Sequence, residues 1–254
     1  MTKEFDILNA FIGSGNPSGK IWFIGLEEAN EWSENPEENN YKPYEQCIGA
    51  LGPGGMEKLE ETTRDKGKPF TPTFSIMSKL LLAVAKEEYP SKDAVKDYRY
   101  KKLLWASGDT FQCNLYAIGK RSLKDWPPWY KPRFGFNSPE QYYKSKCVQC
   151  RFEVIRKQWK SCPPYITICF GKGGWNRFRE LLELDNEHSD NWYQIYRPQI
   201  SSTTLLCPRP QISPTIFLCP FLSYRPNCLP DKRIIALSKA IREAAPDLPS
   251  MLQI

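Results

Sequence analysis

An apolar run at positions 21–24 ends at Gly25, and it constrains the fold more than any other segment. The run does not alternate apolar and polar residues, a pattern typical of a strand buried on both faces in a parallel sheet. Glu27, Glu28 and Asn30 follow shortly after the glycine. Because ligands of such sheets bind beyond the carboxyl ends of the strands, these polar residues are candidates for a functional site. A solvated acidic loop after a core strand is the alternative interpretation.

Strand and helix patterns alternate along the rest of the chain. Strands are predicted at 20–25, 110–118, 165–170 and 215–219, and a further strand or hairpin falls within 190–206. Helical patterns occupy 5–12, 74–86, 138–159, 175–184 and 231–245. This alternation predicts an α/β fold with three layers (α/β/α) around a central four-stranded, mainly parallel sheet. We expect one domain over residues 1–254, with an acidic excursion rich in Gly and Pro at about 31–72.

Composition excludes several classes of protein. No apolar run approaches the roughly 20 residues that span a bilayer, and the N-terminus lacks the pattern of a signal peptide, so we expect a cytoplasmic protein. We also expect a monomer. Nine cysteines, an odd number, favour reduced thiols. Cys147 and Cys150 form the one CxxC pair, and His188 is the single histidine. A zinc site needs more ligands than this, so no metal or cofactor is expected.

Charge is distributed unevenly along the chain. Residues 26–65 contain 11 acidic and 3 basic side chains, whereas residues 120–160 contain 11 basic and 3 acidic ones. Trp, Tyr and Phe residues are interleaved with the basic side chains of the second segment. Such a segment is typical of a surface that binds a polyanion and stacks on its bases. A solvated helix beside ordinary core aromatics is the alternative.

Short segments in a fixed order resemble the motifs of one enzyme superfamily. They are Gly25-Leu-Glu-Glu-Ala-Asn30, Gly67-Lys-Pro-Phe-Thr71, Phe111-Gln-Cys-Asn114-Leu115, Ile166-Thr-Ile-Cys-Phe-Gly-Lys172 and Thr215-Ile-Phe-Leu-Cys219-Pro220-Phe221-Leu222-Ser223. Their order and spacing are similar to those of the uracil-DNA glycosylase superfamily, over roughly residues 18–243. The resemblance implies that fold and the removal of a base from DNA.

The resemblance also implies roles within the base pocket. Glu27, or Glu28 beside it, corresponds to the residue that directs the water or stabilises the sugar cation. Phe70 would stack on the extruded base, while Asn114 would read the base edge and Asn30 would line the same pocket. An amide suits this reading because it offers one acceptor and one donor group. A core phenylalanine and an asparagine that braces a strand end are the structural alternatives.

Residues that would hold the DNA lie near the other strand ends. Phe221 and Leu222 are candidates for the wedge that fills the space of the flipped base, and Tyr224 and Arg225 follow them. Arg225 would contact phosphate or assist the departing base, with an ordinary surface charge as the alternative. Basic side chains beside strand ends are further candidates for phosphate contacts, namely Lys120, Arg121 and Lys172.

Departures from the superfamily pattern bear on the substrate. Cys219 stands where the superfamily has its leaving-group histidine, and a neutral thiol is a much weaker donor than imidazole. Glu28 stands in place of a proline, and the acidic excursion is long. These departures argue against a plain uracil enzyme and favour a roomier pocket for a modified base. These departures fit a resemblance to antiphage glycosylases, which remove hypermodified or glucosylated cytosine.

Three alternative functions remain from the sequence. The first is a uracil-type repair glycosylase, and the second is a catalytically silent DNA-binding protein of the same fold. The third is a hydrolase of free nucleotides or nucleosides, because the same sheet can hold a monomer. The partner expected under the main hypothesis is double-stranded DNA with a flipped base, or single-stranded DNA.

Overall fold

The computed structural model describes residues 3–26, 72–120, 122–184, 193–197, 214–220, 231–252 and 254. Within these residues the strands are β1 (Gly13–Gly15), β2 (Ile21–Gly25), β3 (Thr110–Asn114), β4 (Ile166–Phe170), β5 (Gln194–Tyr196) and β6 (Thr215–Cys219). They form one sheet in the order β1-β3-β2-β4-β6-β5. The four inner strands are parallel, and β1 and β5 pair antiparallel at the two edges.

The four predicted parallel strands are confirmed, although β3 ends at Asn114 rather than at 118, and the prediction of a four-stranded sheet is wrong because the sheet has six strands. Strand β5 falls within 190–206, where a further strand or hairpin was expected. Strand β1 occupies Gly13–Gly15, where the sequence favours a turn. A Cβ on Gly13 would lie 2.1 Å from the carbonyl oxygen of Gln112. The absence of a Cβ at Gly13 and Gly15 therefore lets this segment lie against β3.

Helices cover both faces of the sheet. In chain order they are α1 (Lys3–Ala10), α2 (Pro72–Lys86), α3 (Lys92–Lys101), α4 (Tyr130–Phe134), α5 (Pro139–Tyr143), α6 (Lys146–Ser161), α7 (Trp175–Leu182), α8 (Asp231–Ala244) and α9 (Leu248–Met251). A 3₁₀ turn, Lys172–Gly174, precedes α7. The single helix predicted at 138–159 is two helices, because Ser145 caps α6 by accepting a hydrogen bond from the Val148 amide.

Two core clusters lie on opposite faces of the sheet, as the non-alternating strand patterns predict. On the first face, Trp22 and Ile24 of β2 pack with residues of α1, α4, α5, α6 and α7. On the second face, Ile21 and Phe23 of the same strand pack with residues of α2, α3, α8 and α9. All five residues of β2 are buried. A buried central strand thus carries Gly25 to the carboxyl edge of the sheet.

The aromatic side chains of the basic segment 120–160 belong mainly to the first core. Tyr130, Phe134 and Tyr142 are fully buried, and Phe136 is 7% exposed. Their rings contact one another and Phe5 in edge-to-face or tilted arrangements. The expectation that these rings stack on bases is therefore corrected: burial makes them core aromatics. Trp126, Trp129 and Tyr143 of the same segment are partly buried against that core.

None of the helices in the described ranges is long and apolar enough to cross a membrane.

Candidate functional site

The order of the parallel strands reverses at the junction of β2 and β4. The chain runs from β2 to β3 on one side of β2, and β4 then returns to its other side. In open α/β sheets, ligands bind outside the carboxyl ends of the strands at such a reversal. Gly25 and Leu26 lie at the carboxyl end of β2, and Phe170 and Gly171 lie at that of β4. In the sequence, the acidic candidates follow β2 at this same edge.

Asn114 ends β3 and pairs in register with Gly25. An ideal Cβ on Gly25 would lie 2.5 Å from the Asn114 Oδ1 atom, so the missing side chain provides the space beside the amide. The Asn114 side chain is partly exposed and makes no hydrogen bond among the residues that the structure describes. A side chain that braced the strand end would be bonded to it. The amide is instead available to a ligand as donor and acceptor.

Phe170 approaches the same point from the other side of β2. Its Cζ atom would lie 2.9 Å from an ideal Cβ on Gly25. The ring is 3% exposed and belongs to the second core, beneath α2 and α8. Sequence reasoning did not single out Phe170, although its position before a glycine at a strand end is the signal that marks it. The glycine is thus flanked by an amide from β3 and a ring from β4.

The glycine-rich turn after β4 packs against the residue that precedes Glu27. An ideal Cβ on Gly174 would lie 1.8 Å from the Leu26 Cδ2 atom. The Gly171 amide and the Trp175 indole N–H both donate to the carbonyl oxygen of Cys219, at 3.0 and 3.1 Å. This turn therefore joins the ends of β2, β4 and β6.

Arg151 of α6 fixes the backbone at the end of β3. Its side chain is 3% exposed, and its Nε and Nη2 atoms donate to the carbonyl oxygen of Asn114 at 3.2 and 2.9 Å. Its Nη1 atom donates to the carbonyl oxygens of Asn9 and Phe11, each at 2.7 Å. Sequence reasoning missed this role, because Arg151 was counted among the charges of a basic surface. No sequence pattern distinguishes it from its exposed neighbours.

Lys120 is a core lysine. It is 1% exposed, its ammonium group donates to the carbonyl oxygen of Leu123 at 3.3 Å, and it contacts the Tyr143 hydroxyl. The same nitrogen lies 5.8 Å from the centroid of the Trp126 ring. A lysine enclosed in this way does not present its charge to a DNA surface. The expected phosphate contact at Lys120 is corrected on this ground.

Lys172 is placed differently from Lys120. It is exposed at the start of the 3₁₀ turn, and its ammonium nitrogen lies 6.0 Å from the centroid of the Trp175 ring. Its phosphate contact stays a prediction, and the position is compatible with it.

Cys219, at the position that the superfamily resemblance gives to a histidine, is a poor proton donor. Cys219 is fully buried, and burial raises its pKa well above the ordinary value for a thiol. Burial likewise raises the pKa of Cys113 to about 12. Both thiols therefore stay neutral at physiological pH.

Nine of the predicted site residues lie outside the described residues: Glu27, Glu28, Asn30, Phe70, Arg121, Phe221, Leu222, Tyr224 and Arg225. Their roles stay predictions. Cys147 is partly exposed and Cys150 is exposed. Within the described ranges, no group of three or more His, Cys, Asp or Glu side chains could hold a metal ion.

No known protein-family profile matches the chain, and no curated protein matches it.

Proposed function

We propose that the protein is a DNA glycosylase that flips a modified base out of DNA and hydrolyses its N-glycosidic bond. One observation carries the proposal: the Asn114 amide, which has no hydrogen-bond partner among the described residues, lies beside Gly25 at the carboxyl edge of the sheet. Glu27 follows Gly25 by two positions in the chain. A group that reads a base and a carboxylate that serves the sugar are the two elements such an enzyme requires.

The position of α2 supports a stacking role for Phe70. Helix α2 starts two positions after Phe70 and packs on the face of the sheet to which Phe170 belongs. The Asn114 amide borders the same point beside Gly25 as the Phe170 ring. In the chain, Phe70 thus directly precedes the helix that covers this face of the sheet. Stacking of a base on an aromatic ring stabilises binding by about 1–3 kcal/mol in single-strand systems.

The proposed reaction needs one carboxylate and one water molecule. As the bond from the sugar carbon to the base nitrogen lengthens, positive charge develops on the sugar and the bonding electrons move to the base. The Glu27 carboxylate stabilises this cation and accepts a proton from the attacking water, whose oxygen bonds to the sugar carbon. The base leaves with a proton from solvent or from another side chain. Glu28 is the alternative carboxylate.

The substrate class proposed is hypermodified or glucosylated cytosine, as in phage DNA. The resemblance to antiphage members of the superfamily favours this class. The burial of Cys219 adds support, because a site without a histidine donor suits a base that leaves by a different protonation route. An asparagine amide can pair with adjacent donor and acceptor groups on the edge of cytosine. A role in antiviral defence follows from this substrate.

A base-excision assay tests the proposal. The full chain is incubated with duplexes that contain uracil, 5-hydroxymethylcytosine or glucosylated 5-hydroxymethylcytosine, and abasic sites are then cleaved with alkali. We expect strand breaks with a modified cytosine. Glu153→Gln, which removes an exposed carboxylate on α6, is the matched control for substitutions at Glu27 and Glu28.

The assay also separates the alternatives. Breaks with uracil alone would assign the protein to the uracil-type repair enzymes. Salt-sensitive DNA binding without breaks on any duplex would favour the catalytically silent protein. Release of a base from free nucleosides, but not from duplexes, would favour a nucleoside hydrolase. The last two results would overturn the proposed glycosylase.

A further inference from the structure

Arg179, on α7, is a buried cation whose hydrogen-bond partners are all neutral. Its side chain is 9% exposed. Its Nε atom donates to the Tyr196 hydroxyl at 3.0 Å, its Nη1 atom to Asn176 Oδ1 at 3.1 Å, and its Nη2 atom to Gln194 Oε1. No carboxylate in the described ranges lies within 4 Å of the guanidinium. Buried charges in proteins are normally paired, whereas this guanidinium has no counterion among the residues that the structure describes.

The guanidinium also retains hydrogen-bonding capacity. These contacts use three of its five N–H groups. Asn176 and Arg179 line a surface cleft beside α7, and the Asn176 amide accepts from Arg179 through its oxygen, which leaves its NH₂ group as a donor. We propose that this cleft binds a phosphate group, with Arg179 as its counter-charge and Asn176 as a second donor. Arginine is well suited to planar recognition of phosphate oxygens.

The other buried arginine shows what a purely structural role looks like. The guanidinium of Arg151 donates from all three of its nitrogens to backbone carbonyl oxygens. It lies within the packed first face of the sheet. Arg179 has fewer partners and lines an open cleft. The difference in hydrogen-bonding saturation is the reason to assign a ligand to Arg179 and none to Arg151.

Two carboxylates also line the cleft, and both are already paired. Glu180 bonds to Arg177 at 2.6 Å. Glu183 bonds to Lys160 at 2.5 Å and lies 3.4 Å from Arg156. Arg177, Lys160 and Arg156 thus compensate the two carboxylates, and Arg179 is left as a cleft cation without an ion pair among the described residues. A phosphate group would supply the anion that pairs with Arg179, whereas a cation would not.

Phosphate binding is tested first without DNA. Isothermal titration calorimetry compares inorganic phosphate with chloride at constant ionic strength for the wild-type chain and Arg179→Gln. We expect the substitution to weaken phosphate affinity by about tenfold or more, because hydrogen bonds to charged groups are lost. Absence of phosphate binding by the wild-type chain, or equal affinity in Arg179→Gln, would overturn the proposal.

A second variant protects the test against misfolding of Arg179→Gln. Asn176 is exposed, and Asn176→Asp places a carboxylate next to the Nη1 atom of Arg179. This internal anion would pair with Arg179 and repel phosphate, so we expect the folded protein to lose phosphate binding. Asn176→Asp with wild-type affinity for phosphate would contradict the proposed site.

A DNA-binding measurement distinguishes two sources of the phosphate group, the DNA backbone and a small phosphate compound. Binding of a short unmodified duplex is measured by fluorescence anisotropy over a range of salt concentrations. If the cleft holds a DNA phosphate, Arg179→Gln reduces the salt slope by about 0.9. An unchanged slope together with lost binding of inorganic phosphate assigns the cleft to a small phosphate compound. Neither arm involves base excision, so their outcome is independent of the proposed glycosylase.

Discussion

The carboxyl edge of the sheet and the basic segment 120–160 differ in whether their polar and aromatic side chains are available to a ligand. At the edge, the Asn114 amide is partly exposed and has no hydrogen bond among the described residues. In the basic segment, Tyr130 and Phe134 are fully buried and the Lys120 ammonium is hydrogen-bonded within the protein. The segment whose composition most favours DNA binding thus buries several of its aromatic rings and the Lys120 ammonium group in the protein.

Free hydrogen-bonding capacity is therefore a better indicator of a functional site than amino-acid composition. The interactions of a buried ring or of a hydrogen-bonded ammonium group are made within the folded protein. The Asn114 amide, at a strand end beside a glycine, still has donor and acceptor groups that a ligand can use. Four substitutions test this contrast, in order of decreasing expected effect.

The largest effect is expected at the carboxylate that follows β2. Glu27→Gln removes the negative charge and the proton acceptor, and we expect base release to fall by about 100-fold to 10,000-fold. Single-turnover excision on the preferred duplex measures this. Glu28→Gln identifies which of the two carboxylates serves the sugar, and Glu153→Gln should retain full activity. Full activity in both Glu27→Gln and Glu28→Gln would remove the catalytic role from this edge.

In the basic segment, the large effect is expected on stability. Phe134→Ala deletes a fully buried ring that contacts Phe5 and Tyr130. We expect the free energy of unfolding to fall by about 3–5 kcal/mol, as measured by chemical denaturation. Tyr89→Ala, at a tyrosine that is 43% exposed, is the control and should cost far less. A loss of DNA affinity with unchanged stability would restore the stacking hypothesis for Phe134.

A substitution at Gly25 is expected to affect both stability and activity. Gly25→Ala would place a Cβ 2.5 Å from Asn114 Oδ1 and 2.9 Å from the Phe170 ring, so both must shift. We expect a loss of about 1–3 kcal/mol in unfolding free energy together with reduced excision. Gly173→Ala is the matched control, since among the described residues its Cβ would meet Leu123 alone, at an ordinary 3.5 Å. Normal stability and activity of Gly25→Ala would contradict the close packing.

The smallest effect on stability is expected at Asn114. Because its side chain makes no hydrogen bond among the described residues, Asn114→Ala should change the unfolding free energy by less than about 0.5 kcal/mol. Excision of the preferred base should nevertheless fall by about tenfold or more. Gln112→Ala, two positions earlier in β3, controls for truncation of an amide. A marked loss of stability without a change in selectivity would make Asn114 a brace.

Much of the fold could be predicted from local patterns. The apolar runs that became β2, β4 and β6 lack alternation, and each is completely buried. Their burial on two faces follows from the pattern because helical segments separate them. Helix α8 was bounded to within one residue, since its apolar period and its preceding proline are both visible in the sequence.

Other features depend on contacts between distant residues. Strand β1 forms because its glycines let the backbone lie close to β3, which no local signal reveals. The break between α5 and α6 depends on the Ser145 cap, within a segment whose apolar period continues through it. From the sequence, Arg151 and Lys120 are predicted to be surface charges, but both are buried in the folded protein.

The amino-acid sequence determined which segments become buried strands and which residues follow their ends, because apolar periodicity and glycine placement are local properties of the chain. Tertiary structure decided which of those ends become neighbours: the pairing of Gly25 with Asn114, and the position of Phe170 beside them. It also decided that the Arg151 guanidinium is saturated by backbone oxygens, while Arg179 uses three of its five N–H groups among the described residues. The physical reason is that strand register and hydrogen-bond saturation arise only when distant segments are packed together.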